Sequence, residues 1–221
     1  MRGSLPRRFE HCYKTVLRYG CQVPRPKLHD DALRIRLLDT AGALLTSEGP
    51  EALSLRRLAA AADTSTSAVY ALFGGKPGLM RALFREAFSR FGEYQDTVVP
   101  SDDPMADLVA LGRTYRASAK ADPHFYAVMF GSLLPGFEPT TPDVAHAEAT
   151  FTPVVDAVRR AIAAGLLRAE DPILIATALW ANVHGLVSLE LGCAIPPQAG
   201  EPAEVFETAL RATLDGWRAH P

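Results

Sequence analysis

Between Gly49 and Pro77 the chain has room for only two short helices and a turn, and it carries the signals for all three. Ser54 stands where an N-cap belongs, ahead of Leu55, Leu58, Ala59 and Ala62 at helical spacing, with Arg56 and Arg57 pointing away. Asp63-Thr64 makes a tight turn, and Ser65 or Thr66 caps the second short helix, STSAVYALF. Gly74-Gly75 must end it, because glycine reaches the left-handed conformation without a Cβ clash. Ala59 and Ala68 are small enough for the two helices to cross closely, while Val69 and Phe73 anchor the second one inside. From Ser65 to Phe73 there are nine residues, about two and a half turns, short enough to enter a DNA major groove. Two short helices joined this way are a helix-turn-helix candidate.

The flanks are helical as well. Leu33, Leu37, Leu38, Ala41, Leu44 and Leu45 recur at helical spacing from about His29 to Gly49-Pro50. Lys76-Pro77 opens a fourth helix, since proline is tolerated in a first turn, and Leu79, Leu83, Phe84 and Phe88 supply its buried stripe. After the break at Pro100 to Pro104 the apolar stretches stay of helical length, over about 104–120, 123–133, 142–165, 171–191 and 203–218, and no alternating β-rich segment appears. The expected fold class is all-α, a three-helix helix-turn-helix domain at 29–76 followed by a helical bundle at 77–221, preceded by a flexible basic arm at 1–28.

Charge divides along the same line. Residues 1–95 hold 15 Lys or Arg against 9 Asp or Glu, whereas residues 96–221 hold 8 against 16. A cationic front half suits an anionic surface such as duplex DNA. The three cysteines, Cys12, Cys21 and Cys193, are odd in number and widely spaced, and no secretory pattern opens the chain, which points to a reducing, cytoplasmic setting. Eighteen residues without formal charge separate Asp171 from Glu190, but Thr177, Asn182, His184, Gly185 and Ser188 interrupt them and acids flank both ends, so burial against a partner subunit is expected rather than a membrane span.

Catalytic signatures are missing. The six histidines never form a His-x-x-x-His pair, His29-Asp30 lacks a second histidine-rich element, and there is no Gly-x-Ser-x-Gly elbow, phosphate-cradling loop or Cys-x-x-Cys. No enzyme activity, metal or cofactor is expected, an all-α metal-dependent enzyme being the weakest alternative.

The stretch LSLRRLAAAADTSTSAVYALFGGKPGLMRALF resembles the DNA-binding signature of TetR-type bacterial repressors, through Leu58-Ala59, Ala62, Ser65, Tyr70, Phe73, Lys76 and Leu79. It departs at Asp63, where glycine is usual, and at Leu72, where histidine is frequent; aspartate tolerates left-handed backbone, so the turn should survive. The resemblance implies that Tyr70 and Lys76 hold phosphates, that Thr66, Ser67 and Ala71 lie at the bases with Ser65 also among the DNA-binding residues, and that Arg56 makes the two-pronged contact to guanine. With no Arg, Asn or Gln in the recognition helix, it implies reliance on thymine methyls, Arg56 and DNA shape. Arg25 and Lys27 of the arm could reach a minor groove.

In the second half, PHFYAVMF at 123–130 spreads Phe125, Tyr126, Met129 and Phe130 over more than one helical face, so these either fill a core or line a cavity. Trp180, Val183, His184 and Val187 share a face, and the sequence there is similar to the Trp-x-x-x-His-Gly pattern of one TetR-type C-terminal class. His184 is a core histidine, a dimer-interface residue or an effector contact, in that order of preference. The candidate effector pocket is Phe125, Tyr126, Met129, Phe130, Phe151, Trp180 and His184. The implied function is a ligand-responsive regulator, most simply a repressor, that binds a palindromic operator in double-stranded DNA as a homodimer formed by about 171–191 and 203–218 and is released by a small hydrophobic or amphipathic effector. The alternative is a helical small-molecule-binding or interaction module that has lost DNA binding.

Overall fold

The computed structural model describes residues 27–131 and 133–219, and the expected basic arm therefore lies almost wholly outside the described residues. Its last two positions are already helical, because α1 runs Lys27–Glu48. Leu37, Leu38, Ala41 and Leu45 are the buried stripe of α1. The helix stops at Gly49, whose φ of 81° no β-carbon-bearing residue adopts cheaply, and a single 3-10 turn at Pro50–Ala52 leads on.

The two short helices form where their caps dictate. Ser54 accepts a hydrogen bond from the Arg57 amide at 3.2 Å, starting α2 at Leu55–Ala61. Ser65 does the same for the Ala68 amide at 3.1 Å and starts α3 at Thr66–Phe73. Between them Asp63 takes a left-handed φ of 49°, the backbone that the turn needs and that aspartate bears better than most residues. Gly74, at φ 69°, ends α3 by turning left-handed, its amide bonded to the Tyr70 carbonyl at 2.8 Å.

Helix α4 (Lys76–Asp96) then begins against the last turn of α3. A β-carbon at Gly78 would sit 1.8 Å from the Phe73 carbonyl oxygen, so only glycine lets the two helix ends meet. Helices α5 (Pro104–Ala121), α6 (Pro123–Phe130), α7 (Thr141–Ala149), α8 (Thr152–Ala163), α9 (Pro172–Leu191) and α10 (Pro202–Gly216) complete the bundle. Where periodicity suggested one helix over 142–165 there are two. Pro153 has no amide to donate and its ring collides with the preceding turn, so the chain breaks at Thr150 and Phe151 and restarts. The helix expected over 123–133 likewise ends early, at Phe130 ahead of Gly131. No strand occurs among the described residues; a single antiparallel bridge, Leu167 with Arg218, ties the α8–α9 loop to the end of α10.

Burial divides into two clusters that meet on α4. The first joins α1, α2, α3 and the N-terminal half of α4, and it takes Phe125 and Val128 from α6. The second joins Phe91 of α4 to Leu108, Leu111 and Tyr115 of α5, Val158 of α8, Ile175, Leu179 and Val183 of α9, and Phe206, Leu210 and Leu214 of α10. Arg90 pins the first to the second. Its guanidinium reaches Asp39 of α1 at 2.7 Å, Glu86 at 2.9 Å and Asp122 at 3.3 Å, and it lies 4.2 Å from the Phe125 ring centre.

A second clamp ties α4 to α7. Asp143 is fully buried, and its carboxylate accepts from the Thr140 hydroxyl at 2.6 Å, the Thr140 amide at 2.9 Å, Arg85 at 2.5 Å and Arg81 at 3.3 Å. The Thr140 hydroxyl above all, then its amide and the Arg85 charge, hold this carboxyl well below the ordinary carboxylate range although burial opposes them. One turn on, His146 Nε2 lies 3.1 Å from the Ser89 hydroxyl of α4.

Two consequences follow for stability. Gly78→Ala should cost about 1–3 kcal/mol by overpacking against backbone, read as a lowered thermal midpoint, with DNA binding lost in step. Because the Asp143 pKa is depressed on folding, its stabilisation is present above the ordinary value of 3.8 and lost as pH falls through the lower folded value. Asp143→Asn should therefore melt earlier at neutral pH and lose that part of the acid limb, with little difference from the parent protein once both are fully protonated.

Candidate nucleic-acid interface and internal cavity

Val69 and Phe73 turn one face of α3 into the core, which leaves Ser67, Tyr70 and Ala71 on the outer face; Ser65 is exposed and Thr66 half-buried. The hydroxyl oxygen of Ser65 already accepts from the Ala68 amide, which leaves its proton and one lone pair. Tyr70 is 55% exposed, unusual for a side chain of its size, and its ring lies against Gly75, where a β-carbon would stand 3.6 Å from Cε1. Lys76 follows directly, exposed and at the first position of α4, whose N-terminus has no side-chain cap. A phenol, an ammonium group and an uncapped helix N-terminus therefore share one corner, a combination that favours phosphate.

The two arginines of α2 differ. Arg57 is paired with Glu48 of α1, whereas Arg56 is exposed and has no carboxylate within ion-pair distance among the described residues. Its guanidinium keeps the planar fork that matches the O6 and N7 atoms of guanine. Arg34 lies 5.2 Å from the Phe73 ring centre and takes up packing rather than reading.

The second feature is a partly open cavity of about 310 Å³ between α4, α5, α6, α7, α8, α9 and α10. This is at the small end of the roughly 300–1,000 Å³ of small-molecule sites. Of the seven residues proposed from sequence, Phe130, Phe151 and Trp180 line it. The structure places Phe125, Tyr126 and Met129 elsewhere, around a separate void of about 10 Å³ between α4 and α6. Phe125 is drawn away because it faces the N-terminal core, and Tyr126 because its hydroxyl is engaged at α9.

His184 stands behind the lining rather than in it. Its Nδ1 lies 3.0 Å from the Tyr115 hydroxyl and 2.9 Å from the Tyr126 hydroxyl, and the latter also meets Ser188 at 3.0 Å. Burial lowers the His184 pKa, which favours the neutral ring, and both tyrosine hydroxyls converge on its Nδ1. It thereby holds Tyr115, whose ring does line the cavity, and sits 4.8 Å from the Phe130 ring centre.

Phe88, expected in the buried stripe of α4, lines the cavity instead, and the lining residues that local sequence did not single out come chiefly from α4 and α5: Phe91, Gln95, Leu108, Leu111 and Tyr115. Gln95 carried a signal. It extends the buried stripe of Ala87 and Phe91, and a glutamine that is only 5% exposed on an apolar stripe is unusual. The rest depends on helices distant in sequence.

Comparison with known proteins gives a consistent picture. Residues 37–83 match the model of the bacterial regulatory proteins of the tetR family, and residues 108–213 match that of the tetracyclin repressor-like C-terminal domain. The HTH-type transcriptional regulator Rv1816 of Mycobacterium tuberculosis is 25% identical over 224 residues, spanning 86% of this chain and 94% of that protein. A solved protein of unknown function from Rhodococcus sp. RHA1 is 29% identical with a TM-score of 0.71, covering 84% of this chain and 95% of that one. A TetR family transcription regulator from Marinobacter aquaeolei VT8 shares the fold with a TM-score of 0.73 at 20% identity, over 88% of this chain and 100% of that chain.

The pH response of His184 checks the inner polar cluster. A histidine whose folded pKa is depressed binds its proton more readily when unfolded, so stability falls as pH drops below the ordinary 6.5 and levels off below the folded value. An NMR titration should place the His184 midpoint below 6.5, and His184→Gln should flatten that part of the stability profile; a midpoint above 6.5 would contradict the assignment.

Proposed function

The chain belongs to the tetR family of bacterial regulatory proteins, ligand-responsive regulators that bind DNA rather than catalyse, and we propose that it is a cytoplasmic repressor released from a palindromic operator by a small effector. Regulators of this family bind DNA and typically act as dimers. In the proposed complex α3 enters the major groove with Ser65, Thr66, Ser67 and Ala71 toward the bases. Arg56 reads guanine, and Tyr70 with Lys76 grips the backbone. The observation that carries this reading is the corner where exposed Tyr70 and Lys76 meet the uncapped start of α4, together with an exposed Arg56 that has no ion-pair partner among the described residues.

The proposed dimer forms through α9 and α10. Helix α9 has the length and composition of a membrane span, yet much of its apolar surface is uncovered in the single chain. Ile173, Leu174 and Leu189 are 48%, 52% and 47% exposed, and a four-helix contact with a second copy would cover them. Two reading helices about 34–36 Å apart would then face successive major grooves. The proposed effector site is the 310 Å³ cavity, and residues 29–76 and 77–221 are the proposed DNA-binding and effector-binding units, with α4 common to both.

Lys76→Ala and Tyr70→Phe should each weaken binding to every DNA sequence. Loss of the lysine contact should also make the slope of log affinity against log salt shallower by about 0.9. Arg56→Ala should cost about 1–3 kcal/mol at one guanine position and relax preference there. Unchanged affinity in all three variants on a promoter fragment would favour the module that has lost DNA binding. In sedimentation, Leu174→Glu combined with Leu189→Glu should convert the dimer to monomer and weaken operator binding; a dimer that persists would place the interface elsewhere.

A further inference from the structure

The cavity is aromatic and aliphatic over nearly its whole wall, through Phe88, Phe91, Leu108, Phe130, Phe151 and Trp180. Its few polar groups are mostly spoken for. The Thr150 hydroxyl donates to the Ala147 carbonyl at 2.7 Å, the Thr177 hydroxyl to the Ile173 carbonyl at 2.7 Å, and the Tyr115 hydroxyl is directed at His184 Nδ1 at 3.0 Å.

Gln95 is different. Its side-chain amide has one contact among the described residues, Oε1 to the Thr114 hydroxyl at the long distance of 3.4 Å. That hydroxyl has a better acceptor in the Leu111 carbonyl at 2.9 Å, to which its single proton goes. The amide nitrogen of this 95%-buried residue has no partner among the described residues, and the side chain lies at the cavity wall, where an occupant of the cavity can bond to it. Among the described residues the one formally charged residue on the wall is Glu148, which is exposed, and no lysine or arginine lines the cavity. An anionic ligand would be desolvated without a cation to meet it and would face that carboxylate.

We propose that the effector is an uncharged, mainly aromatic or hydrocarbon molecule carrying one hydroxyl or amide group that bonds to the free arm of the Gln95 side chain, and that carboxylates and phosphates are rejected. This rests on the cavity being the effector site. It also names a route of action, since Gln95, Phe91 and Phe88 lie on α4, the helix that carries the reading head at its other end.

Three probes of the same shape test it on the full-length protein: naphthalene, 2-naphthol and 2-naphthoate, followed by calorimetry and by the fluorescence of Trp180 in the wall. The expected order is 2-naphthol about tenfold tighter than naphthalene, as one hydrogen bond to a buried amide supplies, with 2-naphthoate weaker than 2-naphthol by more than tenfold. Gln95→Leu should erase the advantage of the naphthol while leaving naphthalene binding in place, and Gln95→Met should do the same if the leucine variant folds poorly by circular dichroism. Naphthoate binding as tightly as naphthol, or a naphthol advantage that survives both substitutions, overturns the ligand class while leaving the cavity a ligand site. Should none of the three bind or disturb Trp180, the cavity is not the effector site and both statements fall.

Discussion

A single uninterrupted helix carries the dependence of one half of this protein on the other. The 21 residues of α4 extend about 30 Å, and both buried clusters use that helix as a wall: Leu79, Leu83 and Ala87 on the side of the short helices, Phe91 on the side of the bundle. A packed helix moves as a unit because interiors have crystal-like density and little slack. The short N-terminal helices therefore shift against the bundle only by moving α4 or by sliding over Phe125 and Val128 of α6, and Gly78 fixes how α3 is mounted on the first turn of α4.

Polar clamps define the rest state of that helix. Arg90 joins it to Asp39 and Asp122, and buried Asp143 joins it to α7 through Arg81 and Arg85. Such buried or half-buried pairs hold one arrangement because breaking them strands a charge. The cavity lies between the same elements, with Phe88, Phe91 and Gln95 from α4 facing Ala147, Thr150 and Phe151 from α7 and its end. An occupant of the proposed effector site would touch both sides of the clamp. It changes DNA affinity only to the extent that it prefers one placement of α4 over another.

The legible part of the sequence was the part governed by neighbours. Ser54, Ser65, Asp63 and Gly74 act on residues within four positions, so the caps, the turn and the lengths of α2 and α3 could be read directly, and α3's outward residues followed from the burial of Val69 and Phe73. The break before Pro153 was available from the same chemistry but was masked by apolar periodicity that runs on through Phe151 to Val155 and Val158. The cavity was only half legible for a deeper reason. Its wall takes residues from seven helices, and nothing in the local period of PHFYAVMF says that Phe125 turns to the N-terminal core while Phe130 turns to the bundle. His184 was visible as a polar residue on an apolar face and was grouped with Tyr126, 58 residues away; Tyr115, 69 residues away, was not.

The measurement that bears most directly on this account is the distance between the two α3 helices of the dimer, taken by electron-electron resonance from spin labels at Ala71→Cys with Cys12, Cys21 and Cys193 replaced by serine. The account predicts a single separation near the ~34–36 Å groove repeat without ligand, and a displaced or broadened one when 2-naphthol fills the cavity, at concentrations that release DNA. A distribution that stays the same while DNA is released would contradict it, because α4 would then not be the element that joins the cavity to the groove.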